Sequence, residues 1–167
     1  MKVFSGYPGL FFEDVKPGQT IVHRLGRTVT FQDNLFFSHT LLNTACLHFD
    51  GEYMQFTEFK QPLLVMTMVL GITYGITSED FKNVAKEKEI RNLKMLAPVF
   101  DKDTLHVVTE ILETREEPDR NDVGLVVARH KTYKNNFTIQ VMEVDREFLL
   151  YRRDHSPRWR IPLQELR

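Results

Sequence analysis

The sequence predicts an α+β fold in which an antiparallel sheet wraps around a long central helix. Two observations carry this. The run Leu63 to Ile76 is apolar except for two threonines and two glycines, so it demands burial on all sides. Beyond it the chain changes to strand period, with β-branched runs separated by turns. One apolar helix followed by long antiparallel strands packs best as a curved sheet around that helix. With 167 residues the chain suits a single domain, since roughly 150 residues bury about 70% of their unfolded surface without disulfides or metals.

The elements follow in order. Pro17-Gly18 makes a turn, after which Gln19 to His23 and Arg27 to Thr30 read as short strands flanking Gly26. Thr30 stands three residues before Asp33, a variant of the capping box, and opens a helix over 31–42 whose face is Phe31, Leu35, Phe36, His39 and Leu42. From Asn43 to Lys60 the pattern breaks into a loop holding Asn43, His48 and Asp50, then an amphipathic turn through Tyr53, Phe56 and Phe59. Pro62 suits a first helical turn, so the apolar helix is placed at about 62–76, with Gly71 and Gly75 on one face where another backbone can approach. A second short helix is expected near Ser78 to Ala85. Strands are expected at 88–96, 104–113, 123–133 and 137–151. In the last of these, Met142, Val144, Phe148 and Leu150 form a buried face opposite a wet one of Glu143, Asp145 and Glu147. Residues 154–167 read as a polar arm packed at an edge.

Composition excludes several classes. At 42% apolar and 27% charged the chain is globular rather than disordered. With 22 Lys plus Arg against 23 Asp plus Glu, the net charge of −1 gives no bulk attraction to nucleic acid or to an anionic membrane. Cys46, the single cysteine, excludes an internal disulfide and a thiolate-rich zinc site and fits a reducing compartment; it reads as a small buried filler. Met1 to Leu10 lacks the uninterrupted apolar stretch of a secretory signal, and Leu63 to Ile76 falls short of the ~18 residues that cross a bilayer. The expected location is cytoplasmic.

The segment Asn43-Thr44-Ala45-Cys46-Leu47-His48-Phe49-Asp50 resembles the active-site stretch of MaoC-like dehydratases and the related (R)-specific enoyl-CoA hydratases. Those proteins carry Asp-x-Asn-Pro-(Ile/Leu)-His there, and a subgroup carries Asn-Thr-x-Pro-Leu-His-x-Asp. Similar text surrounds it at Gly9 to Asp14, Pro17 to Gln19, Leu25 to Thr30, Phe59 to Leu63, Ala97 to Phe100, Asp103 to Leu105 and Tyr151 to Arg153. The resemblance covers about 9–153 and implies a hot-dog fold. It also implies hydration of a trans-2-enoyl thioester, or its reverse, without a cofactor or metal, in a homodimer or higher homo-oligomer that binds acyl-CoA.

Under that resemblance His48 and Asn43 are the catalytic candidates. An imidazole, ordinarily titrating near ~6.5, can accept or donate a proton at cellular pH, whereas an amide orients water but cannot be a general base. Acid–base work therefore falls on His48, helped by Asp50. Val65 and Met66 stand where the family supplies backbone donors to the thioester carbonyl, and Met66 replaces the usual glycine. Ala45 and Cys46 replace the family's Asn and Pro. Each position also has a plain structural reading: Asn43 as a helix terminator, Asp50 as the start of a turn or a helix cap, and Val65 and Met66 as core. The remaining histidines have no metal-ligand spacing. A hydratase or dehydratase is therefore expected, the alternatives being a non-catalytic acyl-thioester-binding subunit or a thioesterase.

Overall fold

The computed structural model describes residues 6–157. Two short strands, β1 (Thr20–Val22) and β2 (Arg27–Thr28), precede helix α1 (Phe31–Thr40), the one-turn helix α2 (Gly51–Met54) and the central helix α3 (Met66–Thr77). Four long strands follow: β3 (Val84–Met95), β4 (Thr104–Glu116), β5 (Val123–Lys134) and β6 (Ile139–Tyr151). They form one antiparallel sheet in the order β1-β4-β5-β6-β3, with β2 also paired to β4. Val65, Met68, Val69 and Ile76, from α3 and the residue before it, pack against Leu105, Val107, Val141, Met142 and Val144 of the sheet. A sheet curved around one helix is the arrangement expected above.

Several boundaries differ from expectation, each for a hydrogen-bonding reason. The central helix starts at Met66, not Pro62. The Leu63 and Leu64 N–H groups donate to the carbonyls of Leu47 and Val99, both at 2.9 Å, which keeps residues 63–65 out of the helix as a strap between those two segments. Nor is α3 covered all round by the described residues: Met66, Thr67, Gly71 and Gly75 are open on one side, and a Cβ added at either glycine meets nothing among them. Ser78 to Asn83 form turns rather than a second helix, and the chain enters β3 at once.

Helix α1 begins at the expected cap, with Thr30 and Asp33 exchanging side-chain bonds to each other's backbone N–H at 3.1 and 2.9 Å. It ends at Thr40, where Leu42 turns left-handed and Asn43 N–H closes onto the Ser38 carbonyl. Its inward face is not the apolar one expected. Asn34 and Ser38, one helical turn apart, are fully buried, while Phe36 and Leu42 are 76% and 86% exposed. In the following segment the anchor is Met54, fully buried, rather than the exposed Tyr53 and Phe56. Cys46 is exposed rather than buried, because it opens a 3-10 turn (Cys46–His48) and engages through its carbonyl, which accepts from Phe49 and Asp50.

The second face of β6 is not simply wet. Asp145 is 3% exposed and held by a bidentate Arg129 at 2.7 and 2.9 Å and by Asn92 at 2.8 Å, which keeps its carboxyl below the usual range. Leu149 packs there with Val123, Leu125 and Val127. Among the described residues no helix is long and apolar enough to cross a membrane. The expected carboxy-terminal arm lies mostly outside the described residues.

Candidate active site

Backbone bonds fold the loop after α1 on itself and tie the strap 63–65, which leads into α3, to that loop and to Val99. His48 N–H donates to Ala45 O, Leu63 N–H to Leu47 O and Leu64 N–H to Val99 O. Together with the segment from Met95 to Val99 they enclose a cavity of about 580 Å³, within the roughly 300–1,000 Å³ typical of small-molecule sites. Its wall is mainly apolar, from Phe59, Leu63, Leu64, Met95, Leu96 and Pro98. Its polar side chains are Asn43, His48 and Thr67. Among the described residues His48 is the one titratable side chain that lines it.

The His48 ring is oriented by Leu63, whose carbonyl lies 2.9 Å from Nδ1. A carbonyl can only accept, so Nδ1 carries the proton of the neutral ring and Nε2 is left with its lone pair. Nε2 has no protein partner among the described residues. Beside it, Asn43 Oδ1 accepts the Ala45 N–H at 3.0 Å, a local turn of the chain onto its own side chain. That leaves the Asn43 amide N–H₂ without a partner among the described residues.

Helix α3, whose first residues line the same cavity, has no side-chain cap among the described residues. Its Met68 and Val69 N–H groups turn back to the Val65 carbonyl. The Met66 and Thr67 N–H groups carry no hydrogen bond among the described residues, and both residues line the cavity. Two unspent donors at the positive end of a twelve-residue helix can together donate to a negatively charged oxygen.

The structure thus brings together His48, Asn43, Val65 and Met66, four of the five residues marked in the sequence. Two of the five stand differently from the expectation. The Val65 N–H is already bonded to Asn34 Oδ1 at 3.0 Å, which shifts the free donor pair to Met66 and Thr67. Asp50 does not line the cavity; its carboxylate accepts the Tyr53 N–H at 2.8 Å and caps α2. Sequence reasoning missed Thr67 and Asn34. The signal for Asn34 was present as two polar residues, Asn34 and Ser38, spaced one turn apart on a short helix.

The sequence profile described as the MaoC like domain matches residues 13–141. The chain is 27% identical over 148 residues to the β-methylmalyl-CoA dehydratase of Chloroflexus aurantiacus, spanning 88% of this chain and 42% of that protein. Among solved structures it resembles a putative MaoC domain protein dehydratase from Chloroflexus aurantiacus, with a TM-score of 0.84, 24% identity, and coverage of 92% of this chain and 44% of that one. It also resembles a conserved hypothetical protein of Mycobacterium tuberculosis described as having a double hot-dog fold, with a TM-score of 0.77, 22% identity, and coverage of 91% and 46%. The chain therefore spans less than half the length of these relatives. The sheet wrapped around α3 is a hot-dog fold, and with most of its length matched by the profile the chain belongs to the MaoC-like dehydratase family.

Proposed function

We propose that this chain adds water to a trans-2-enoyl-CoA, or removes it from the corresponding 3-hydroxyacyl-CoA. The observation that carries the reading is that His48, with a bare Nε2, and two residues with unspent backbone donors at the start of α3 line one mainly apolar cavity. The acyl chain fits the apolar wall, and its thioester oxygen takes the Met66 and Thr67 N–H groups. The Asn43 amide donates to the oxygen of a water, leaving both water protons available, one of them for Nε2.

In the hydration direction the water oxygen bonds to the β-carbon and its proton passes to His48 Nε2. The electron pair of the double bond moves toward the thioester, so negative charge builds on the carbonyl oxygen in the helix cradle. His48 then returns the proton to the α-carbon. Every atom of water ends in the product, and no redox partner is needed. Val65 shapes the wall by its side chain and supports the cradle through its carbonyl; Asp50 contributes by capping the helix that follows the His48 loop.

The protein works as a homodimer or larger homo-oligomer on this reading, a second copy covering the open Gly71 and Gly75 side of α3. A lone cysteine suits a cytoplasmic setting. A second reading, a thioester-binding subunit without catalysis, is favoured by one feature: Asn43 has no acid–base group and its carbonyl oxygen is already engaged. The two separate when the wild type and His48→Ala are compared for hydration rate and, calorimetrically, for acyl-CoA binding. Hydration should fall by ~10²–10⁴-fold with binding kept. A variant that hydrates as fast as the wild type rules out the catalytic assignment.

A further inference from the structure

Asn34 lies one helical turn beyond the cap of α1, is fully buried, and makes no contact with the cavity itself. Its side chain nevertheless reaches the loop that carries His48, the strap, and the residue before α3. The amide nitrogen donates to the His48 carbonyl at 2.6 Å and to the Leu63 carbonyl at 3.0 Å, and the amide oxygen accepts the Val65 N–H at 3.0 Å. The Leu63 carbonyl is the same oxygen that orients the His48 ring. Val65 is the residue from which α3 starts.

These partners leave one orientation for the amide. Two carbonyls require the N–H₂ side and one N–H requires the oxygen side. No other side chain of this length supplies two donors and one acceptor: Asp presents oxygen to two carbonyls, and Leu presents nothing to any of the three.

We propose that Asn34 is the positioning residue of the site. It fixes the loop carrying His48 and the strap leading into α3 at a single separation, so that Nε2 and the Met66 and Thr67 donors face the same small volume. This deepens, and rests on, the hydratase reading. The consequence is kinetic, because catalysis depends on the distance between base and oxyanion donors, and a misplacement of about 1 Å can cost ~10²-fold in rate.

The test uses Asn34→Asp, which keeps the size of the side chain. Ionised, it loses both donated bonds and repels the two carbonyls. Protonated, it regains one donor while its other oxygen still accepts the Val65 N–H. The ratio of variant to wild-type kcat should therefore be ~10²-fold down at pH 8.5 and climb by about tenfold or more toward pH 6. KM should change much less. Dividing by the wild-type rate at each pH removes pH effects common to both proteins, and circular dichroism at each pH shows that the variant is folded. Asn34→Ala, which has nothing to titrate, should give a flat ratio.

Long-range proton–nitrogen NMR spectra of the His48 ring supply a readout that needs no substrate. The wild type should show the proton on Nδ1, and Asn34→Asp at pH 8.5 should lose that single tautomer. A folded Asn34→Asp with wild-type kcat, or a pH-independent ratio, overturns the proposal. So does a wild-type ring protonated on Nε2, which decides the matter even if the variant fails to fold. If no enoyl thioester is turned over by the wild type, the hydratase reading falls, and the two tautomer measurements still decide whether Asn34 sets the His48 ring.

Discussion

At the scale of single residues, the site depends on which backbone donors are left over. Val65 N–H is spent on Asn34, while Met66 and Thr67 are not. This gives an unusual opportunity to remove one donor without disturbing the fold. Met66 is the first residue of α3, where proline is tolerated, and Val65 already has the extended backbone (φ −64°, ψ 132°) that proline imposes on its predecessor. Met66→Pro should leave the melting temperature within a few degrees of wild type and lower kcat by ~10²–10³-fold, as expected for one lost oxyanion donor. An unchanged kcat in steady-state kinetics would place the thioester oxygen elsewhere. At this scale the sequence was readable where a motif places a side chain, as for His48, which does line the cavity. It was not readable for Asp50, whose carboxylate suits a helix cap and a site equally well, nor for the free N–H groups, which no residue type announces.

At the scale of elements, the strands were legible and the helix starts were not. Alternation of β-branched residues survives any packing, so β4, β5 and β6 appeared within a few residues of their true ends. Where α3 begins is decided instead by long-range bonds to Leu47, Val99 and Asn34, which no local pattern contains. The sheet also holds a buried polar chain that the sequence does not reveal. His23 Nδ1 donates to Asp80 at 2.6 Å, Thr109 Oγ1 donates to His23 Nε2 at 2.7 Å and accepts from His130 Nδ1 at 2.7 Å. Burial, then the charges of Arg146 and His23, push His130 down to about 3, and burial lowers His23 against the opposing pull of Asp80. Unfolded histidines take up a proton near ~6.5 while His130 in the fold does not, so the unfolded state binds more protons below that pH. The stability this contributes is complete above about pH 6.5 and is lost progressively as the pH falls toward 3. Denaturant titrations should show that decline, and His130→Asn, which keeps a donor for Thr109 but cannot titrate, should show a shallower slope from a lower starting stability. Equal slopes for the two proteins would mean that other groups govern acid unfolding.

At the scale of the whole molecule, the hot-dog sheet covers one side of α3 and leaves the other open. Gly71 and Gly75 face space into which a Cβ projects without contact, and β3 runs along an edge of the sheet with most of its residues exposed. An unpaired edge and an uncovered helix face are met most economically by a second copy. Light scattering should give at least twice the mass of one chain. Gly75→Lys, harmless within one chain and slightly better for the helix, should shift that mass toward the monomer; a mass of one chain for the wild type at all concentrations rules out the dimer. The fold class was legible at this scale because one apolar helix and four long strands have few ways to share a core. The glycine pair hinted at the open face, but only the structure shows that nothing among the described residues covers it. All of these expectations converge on one reaction, and the most direct measurement of it is to incubate the purified protein with trans-2-enoyl-CoAs of varied chain length. Absorbance of the conjugated thioester and release of free thiol are followed together. The expected result is loss of the conjugated absorbance with no thiol released, reversed when 3-hydroxyacyl-CoAs are supplied instead. Thiol release, or unchanged absorbance across the panel despite measurable acyl-CoA binding, contradicts it.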